Sequence, residues 1–142
     1  MLLPDVNVFV YAFRPDSQQH DRYRHWLEDL INGESAYGCS DLVLSGFCRV
    51  VTHPRIFATP SPSAEALGFA EVIRDQPQCV RVTPSERHWA LFRRLSEQAD
   101  ARGNLVPDAY FAALAIESGC EWVTTDRDYS RFPGLRWRHP LQ

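Results

Sequence analysis

Apolar residues recur along this chain with two different periods, and the switches between them mark out its elements. Between residues 17 and 31, Tyr23, Trp26, Leu27, Leu30 and Ile31 fall at i, i+3, i+4, i+7 and i+8. That spacing is one stripe of an amphipathic helix, and Gly33 lies just past its end. The same period puts Leu42, Val43, Phe47, Val50 and Val51 on a helix that Ser40 can cap and Pro54 must end. Further helices are predicted over residues 8 to 13, from a cap at Ser63 to about residue 74, and over 85 to 99. A last one starts near Pro107, whose missing N–H is harmless in a first turn, runs through Glu117 and stops at Gly119. Between the helices lie short apolar stretches that read as strands: Leu2-Leu3-Pro4, residues 36 to 39, the alternating Cys79-Val80-Arg81-Val82, and Glu121-Trp122-Val123-Thr124. Leu135-Arg136-Trp137 adds an edge strand.

Strands alternating with helices predict an α/β fold with a mostly parallel central sheet, covered on both faces and joined by right-handed crossovers. The functional crevice of such a sheet lies outside the carboxyl ends of its strands. With 142 residues, no internal repeat and no linker, residues 1–142 read as one domain with an ordinary apolar core. No apolar run approaches the roughly 20 residues that span a bilayer, and no basic stretch precedes the short apolar start, so a cytoplasmic protein with no membrane segment is expected. The four cysteines are scattered, without a C-x-x-C pair, and read as small core residues. All 15 basic residues are arginine. The absence of lysine excludes P-loop, kinase and Schiff-base chemistry, and it weighs against receiver domains and most haloacid-dehalogenase-type phosphatases.

Three acids fall where the crevice rule would put a site. Asp5 ends the first predicted strand, Asp126 follows the strand that ends at Thr124, and Asp108 opens a helix. Converging carboxylates raise one another's pKa, so a fold gains nothing from gathering them unless a cation joins them. Hard oxygen donors suit Mg2+ or Mn2+. Such an ion lowers the pKa of a water it binds and neutralises charge developing on a phosphate, which matches phosphodiester hydrolysis. Each acid also has an ordinary explanation. Asp108 beside Pro107 can complement a helix N-terminus, and Asp126 and Asp128 are natural turn or cap residues.

Four segments in order carry a family likeness: Leu3-Pro4-Asp5-Val6-Asn7-Val8, then Ser45-Gly46-Phe47-Cys48-Arg49-Val50-Val51-Thr52-His53-Pro54, then Gly103 through Ala109, then Thr124-Thr125-Asp126-Arg127-Asp128-Tyr129. The closing Phe132-Pro133-Gly134-Leu135-Arg136-Trp137 fits as well. The chain resembles the PIN domain and, within it, the VapC-type toxins of toxin–antitoxin pairs. The resemblance implies a three-layer α/β/α sandwich, Mg2+- or Mn2+-dependent cleavage of RNA, a VapB-like antitoxin that blocks the nuclease, and a homodimer. It also implies metal ligation by Asp5, Asp108 and Asp126, a hydroxyl at Thr124 that orients a carboxylate or water, and an amide at Asn7 that steadies Asp5. Many relatives carry a glutamate on the helix after the second strand. Here Ser45-Gly46-Phe47 offers no acid, so a water or Asp128 takes that space, or metal binding is weaker.

An acidic protein, with a net charge of −3 and a pI near 5.9, needs local arginines to attract RNA. Arg49, Arg55 and Arg102 are the RNA-contact candidates, with Arg93 and Arg94 as a solvated helix face. His20 and His53 are candidate bases but more ordinary as structural groups. Tyr11 and Phe13 are candidates to stack on bases, with core burial as the alternative. Residues 41 to 75, with their apolar surplus, are a candidate dimer interface. The competing readings are a catalytically silent PIN-like module that only binds RNA or protein, and a metal phosphatase on a related fold.

Overall fold

A computed structural model describes residues 1–142. Its elements are β1 (Leu2–Pro4), α1 (Val6–Phe13), α2 (His20–Asn32), β2 (Tyr37–Cys39), α3 (Asp41–Val51), α4 (Ser63–Arg74), β3 (Cys79–Arg81), α5 (His88–Gln98), α6 (Leu105–Ser118), β4 (Glu121–Val123), a 3-10 turn (Arg127–Arg131) and β5 (Trp137–Arg138). The five strands form one parallel sheet in the order β3-β2-β1-β4-β5. The order runs one way from β1 to β3 and the other way through β4 and β5. Right-handed crossovers therefore place α1 to α4 on one face and α5 with α6 on the other, which gives three layers. No helix is long and apolar enough to cross a membrane.

Three-residue strands carry few ladder bonds, so packing of large side chains on both faces fixes the sheet. On the α1–α4 face Phe47 is fully buried, with ring centroids 6.5 Å from Phe9, 5.3 Å from Phe13 and 5.2 Å from Phe69. On the other face buried Trp122 stacks on Phe111 at 5.4 Å and meets Tyr129 at 5.5 Å. Tyr37, also fully buried, donates its hydroxyl hydrogen to the Ile73 carbonyl and ties β2 to α4. Phe13 thus belongs to the core and does not serve as a base platform, because α1 turns it toward Phe47 and Phe69.

Proline in a central strand is uncommon, and Pro4 shows how it is accommodated. The Asp5 N–H donates to Val123 O at 2.8 Å and Glu121 N–H to Met1 O at 2.9 Å, so odd-numbered positions of β1 address β4. Strand geometry turns the Pro4 nitrogen the other way, toward β2, where β1 and β2 keep only the Leu2–Tyr37 register. The β1–β4 side keeps three registered pairs, Leu2–Glu121, Leu3–Trp122 and Pro4–Val123.

Several helix starts differ from the sequence pattern. Ser40 stands at the N-cap of α3 without a capping hydrogen bond, and Ser63 is already helical, with Pro62 in the cap position. The helix expected from residue 85 begins at His88, because Ser85 is recruited by Glu117: its N–H and hydroxyl donate to the two carboxylate oxygens at 2.8 and 2.6 Å. Val80 is exposed despite the alternation, since β3 is a sheet edge. The last strand pairs at Trp137 and Arg138, two residues beyond the expected start at Leu135. Gly119 ends α6 at φ +69°, as a C-terminal stop requires. The four cysteines are free, with Cys39 and Cys120 buried.

Phe47→Ala empties the centre of the α1–α4 face and is expected to lower stability by about 3–5 kcal/mol. Leu42→Ala on the same helix, at a position 52% exposed, is expected to change it by no more than about 0.5 kcal/mol. Urea unfolding followed by far-UV circular dichroism measures both, and equal effects would refute this description of α3.

Candidate active site

The sheet places the end of β1 beside the end of β4, at the point where the strand order reverses. Asp5 follows β1 directly and caps α1, its Oδ1 accepting the Val6 N–H at 2.7 Å. Its Oδ2 accepts the Thr124 hydroxyl at 2.7 Å and lies 3.4 Å from Asn7 Nδ2. Thr124 is fully buried just past β4, and its Oγ1 also accepts the Asp126 N–H at 3.1 Å. Asn7 bridges the two strands, with Nδ2 3.4 Å from Thr124 Oγ1 and Oδ1 3.4 Å from the Thr125 N–H. Asn7 and Thr124 therefore both contact the Asp5 carboxylate.

Asp108 comes from the first turn of α6, and the hydroxyl of buried Tyr129 donates to its Oδ1 at 3.2 Å. Asp126 caps the 3-10 turn, its Oδ1 accepting the Asp128 N–H at 2.9 Å. Asp5, Asp108 and Asp126 line one cleft of about 360 Å³, whose walls are Val6, Asn7, Val10, Tyr11, Val50, Ile56 and Phe57. Asp128 is not among them. It is exposed, 3.9 Å from Arg131, which fits its alternative reading as a turn residue.

Electrostatics single out this cleft. Burial pushes the Asp5 carboxyl up to about 6, against the Thr124 and Val6 hydrogen bonds, and the negative charges of Asp108 and Asp126 push it further. Asp108 is raised for the same first reason, burial, with the Tyr129 hydrogen bond opposing and Asp126 and Asp128 adding to the rise. Burial also raises the Tyr129 hydroxyl well above the phenol range, with Asp5 and Asp108 contributing, so it remains a donor. None of the chain's ion pairs involves Asp5, Asp108 or Asp126. A lysine-free chain with 15 arginines leaves its most buried acid cluster without a counter-charge.

Those donors fit a hard divalent cation, but one that keeps much of its water. No group of three or more His, Cys, Asp or Glu side chains stands close enough to grip a single ion. The three-ligand arrangement expected from the sequence is therefore looser here. Each carboxylate is held by its own partner, Asp5 by Thr124, Asp108 by Tyr129 and Asp126 by the turn it caps, while like charges oppose closer approach. Mg2+ characteristically binds through one or two carboxylates with waters completing its shell, and the cleft supplies that number on adjacent walls. The Ser45-Gly46-Phe47 stretch of α3 adds no acidic donor, and a Cβ at Gly46 would meet Val6 Cγ2 at 3.1 Å.

The other candidates divide. Arg49 and Arg55 are exposed and form no ion pair, whereas Arg102 is engaged by Asp100 at 2.9 Å and Arg93 by Glu97 at 3.0 Å. His20 and His53 are structural: His20 Nδ1 bonds to Tyr11 O at 2.8 Å, and His53 Nδ1 accepts the Arg55 N–H at 3.0 Å. Tyr11 sits at the cleft wall, packed on Tyr23 at 5.1 Å. Two contributors had no signal in the sequence pattern. Tyr129 reaches Asp108 across 21 positions, and Arg14 braces the cleft wall. Arg14 is 8% exposed, lies 4.0 Å over the Phe57 ring, and donates to Thr59 O at 2.8 Å, Ser61 Oγ at 3.0 Å and both oxygens of Asp16.

The PIN domain model matches residues 2–135, which include all three acids of the cleft. The chain belongs to the PIN domain family. It is 45% identical over 141 residues to Ribonuclease VapC43 of Mycobacterium tuberculosis, spanning 99% of this chain and 96% of that protein. Ribonuclease VapC25 of the same species is 40% identical over 140 residues, with 99% of both chains covered. Among solved structures, VapBC2 from Rickettsia felis bound to a DNA fragment from their promoter superposes with a TM-score of 0.70 at 18% identity over 97% of each chain. FitAcB from Neisseria gonorrhoeae does so at 0.68 and 17% identity, over 100% of this chain and 99% of that one.

The raised Asp5 pKa has a signed consequence for stability. In the folded state the carboxylate is disfavoured relative to its ordinary value of 3.8, so the stability tied to protonated Asp5 is complete below pH 4 and is lost as pH rises through about 6. At about 1.4 kcal/mol per unit, the ionised group costs on the order of 2–3 kcal/mol. In chelator at pH 7.5, Asp5→Asn is expected to be more stable than the wild type by that order, and the gap is expected to close by pH 4. Denaturation midpoints across that range measure it, and a gap independent of pH would contradict the assignment.

Proposed function

We propose that this chain, as one domain over residues 1–142, is a divalent-metal-dependent endoribonuclease acting in the cytoplasm, the toxin component of a toxin–antitoxin pair. The single observation supporting this most is the set of Asp5, Asp108 and Asp126 in one cleft at the β1–β4 switch point, without a cationic partner. The reading also draws on the relatives that bear the name ribonuclease at 40–45% identity.

In this reading Asp5, Asp108 and Asp126 hold Mg2+ or Mn2+, with Asp128 outside the cleft. When bound, the ion supplies an activated water and a positive charge opposite the scissile phosphate. Thr124 and the Val6 N–H keep the Asp5 lone pairs aimed into the cleft, and Asn7 ties the two strand ends together so that Asp5 and Asp126 keep their separation. Tyr129 fixes one Asp108 oxygen and leaves the other free. Arg49 and Arg55, exposed and unpaired, supply the local positive charge that brings an RNA backbone to an acidic protein. The apolar walls Val10, Val50, Ile56 and Phe57 lower the water content around the reacting groups. A VapB-like antitoxin is the partner, and a homodimer is the assembly. Exposed Leu67 and Val72, both within residues 41 to 75, give apolar surface away from the cleft for such contacts.

The competing reading, a catalytically silent module, draws on the carboxylates' failure to surround one point. Mapping RNA 5′ ends after incubation with purified protein separates the two. Cutting is expected with Mg2+ or Mn2+ and none with excess chelator. Asp5→Asn and Asp108→Asn are expected to lower the rate at least about 100-fold with melting temperature retained, and Thr124→Val by about 10–100-fold, the range for residues that orient a metal-binding carboxylate. Cutting that survives both Asp variants would assign the activity to a contaminant and support the silent module.

A further inference from the structure

Behind the acidic cleft, across the Val6 side chain that borders both, lies a second cavity of about 410 Å³. Its lining comes from α3 (Leu42, Ser45, Gly46, Arg49) and from α6 (Pro107, Tyr110, Phe111). Three features distinguish it. The walls are largely apolar and two of them are aromatic. Gly46 lets α3 approach Val6 closely, since a Cβ there would sit 3.1 Å from Val6 Cγ2. The one charged group in its lining is Arg49, which has no acidic partner. Pro107 precedes the candidate ligand Asp108 on α6, and Val50, next to Arg49, faces the acidic cleft from α3.

An aromatic wall beside an unpaired arginine, one valine away from a cleft for a phosphodiester, is the combination that unpaired nucleotides require: a ring to stack on and a cation for the neighbouring phosphate. We infer that this cavity is a nucleobase subsite, taking one unpaired base of the RNA strand next to the scissile phosphate against Tyr110, with Arg49 on the phosphate beside it. The inference rests on the ribonuclease reading and adds to it a base contact on the α3–α6 side of the cleft.

The test uses short single-stranded RNAs that the wild type cuts, each with an abasic nucleotide at one position flanking the cut site. One flanking position is expected to raise KM about ten-fold when abasic in the wild type, and to have no further effect in Tyr110→Ala, since the lost base and the lost ring are one interaction. Arg49→Ala, exposed and therefore safe for folding, is expected to reduce the dependence of log affinity on log salt by about one phosphate contact. If Tyr110→Ala does not fold, Tyr110→Leu and the Arg49 salt slope carry the test. Abasic penalties that are equal in wild type and variant, with an unchanged salt slope, overturn the subsite while leaving the nuclease intact. Wild type that neither cuts nor binds any RNA removes the nuclease reading and the subsite together. A Leu42→Glu exchange that turns a dimer into a monomer without altering RNA affinity assigns the cavity to a second copy of the chain and overturns the proposal.

Discussion

One backbone hydrogen bond, from the Asp5 N–H to the Val123 carbonyl at 2.8 Å, closes the most consequential loop in the molecule. It sets residue 5 level with residue 124, and from that register follow the Thr124–Asp5 contact, the bridging Asn7 and the position of Asp126 two residues on. A slip of one residue between β1 and β4 would turn Asp5 to the other face of the sheet and deprive the buried Thr124 hydroxyl of its carboxylate acceptor. The large side chains on both faces, Trp122 among them, make such a slip expensive. In this sense the aromatic core is part of the site.

The same register explains why acids are tolerated in the interior. A carboxylate 6% exposed is stable only with donors to accept from or with a cation beside it, and Asp5 has the donors. Yet its pKa remains raised, which means the donors do not fully replace water. Under the proposed function, that residual penalty is what a divalent ion beside Asp5 would offset.

The sequence made the architecture readable because the helices α2 and α3 carry full amphipathic stripes and because glycine and proline punctuate them. The strands were readable mainly by elimination, as three-residue apolar gaps between helices. Capping was harder to read. Whether Ser63 caps a helix or begins it depends on Pro62, and whether Ser85 starts one depends on Glu117, 32 residues away. The acids of the cleft were visible one by one through their positions at strand ends. Their spacing was not, since it is decided by Tyr129 and Thr124 side chains that no local pattern couples to Asp108 and Asp5. Arg102 looked equivalent to Arg49 in the sequence and differs in having an acid within reach.

Arg14 carries a consequence of its own. It leaves the C-terminal end of α1, the helix whose other end is capped by Asp5, and clasps the chain at Thr59, Ser61 and Phe57 from below. The segment bearing Ile56 and Phe57 has no regular secondary structure, and on its own it would drift as an ordinary surface loop. Arg14 ties it to the same helix that Asp5 caps, so both sides of the cleft are anchored on α1.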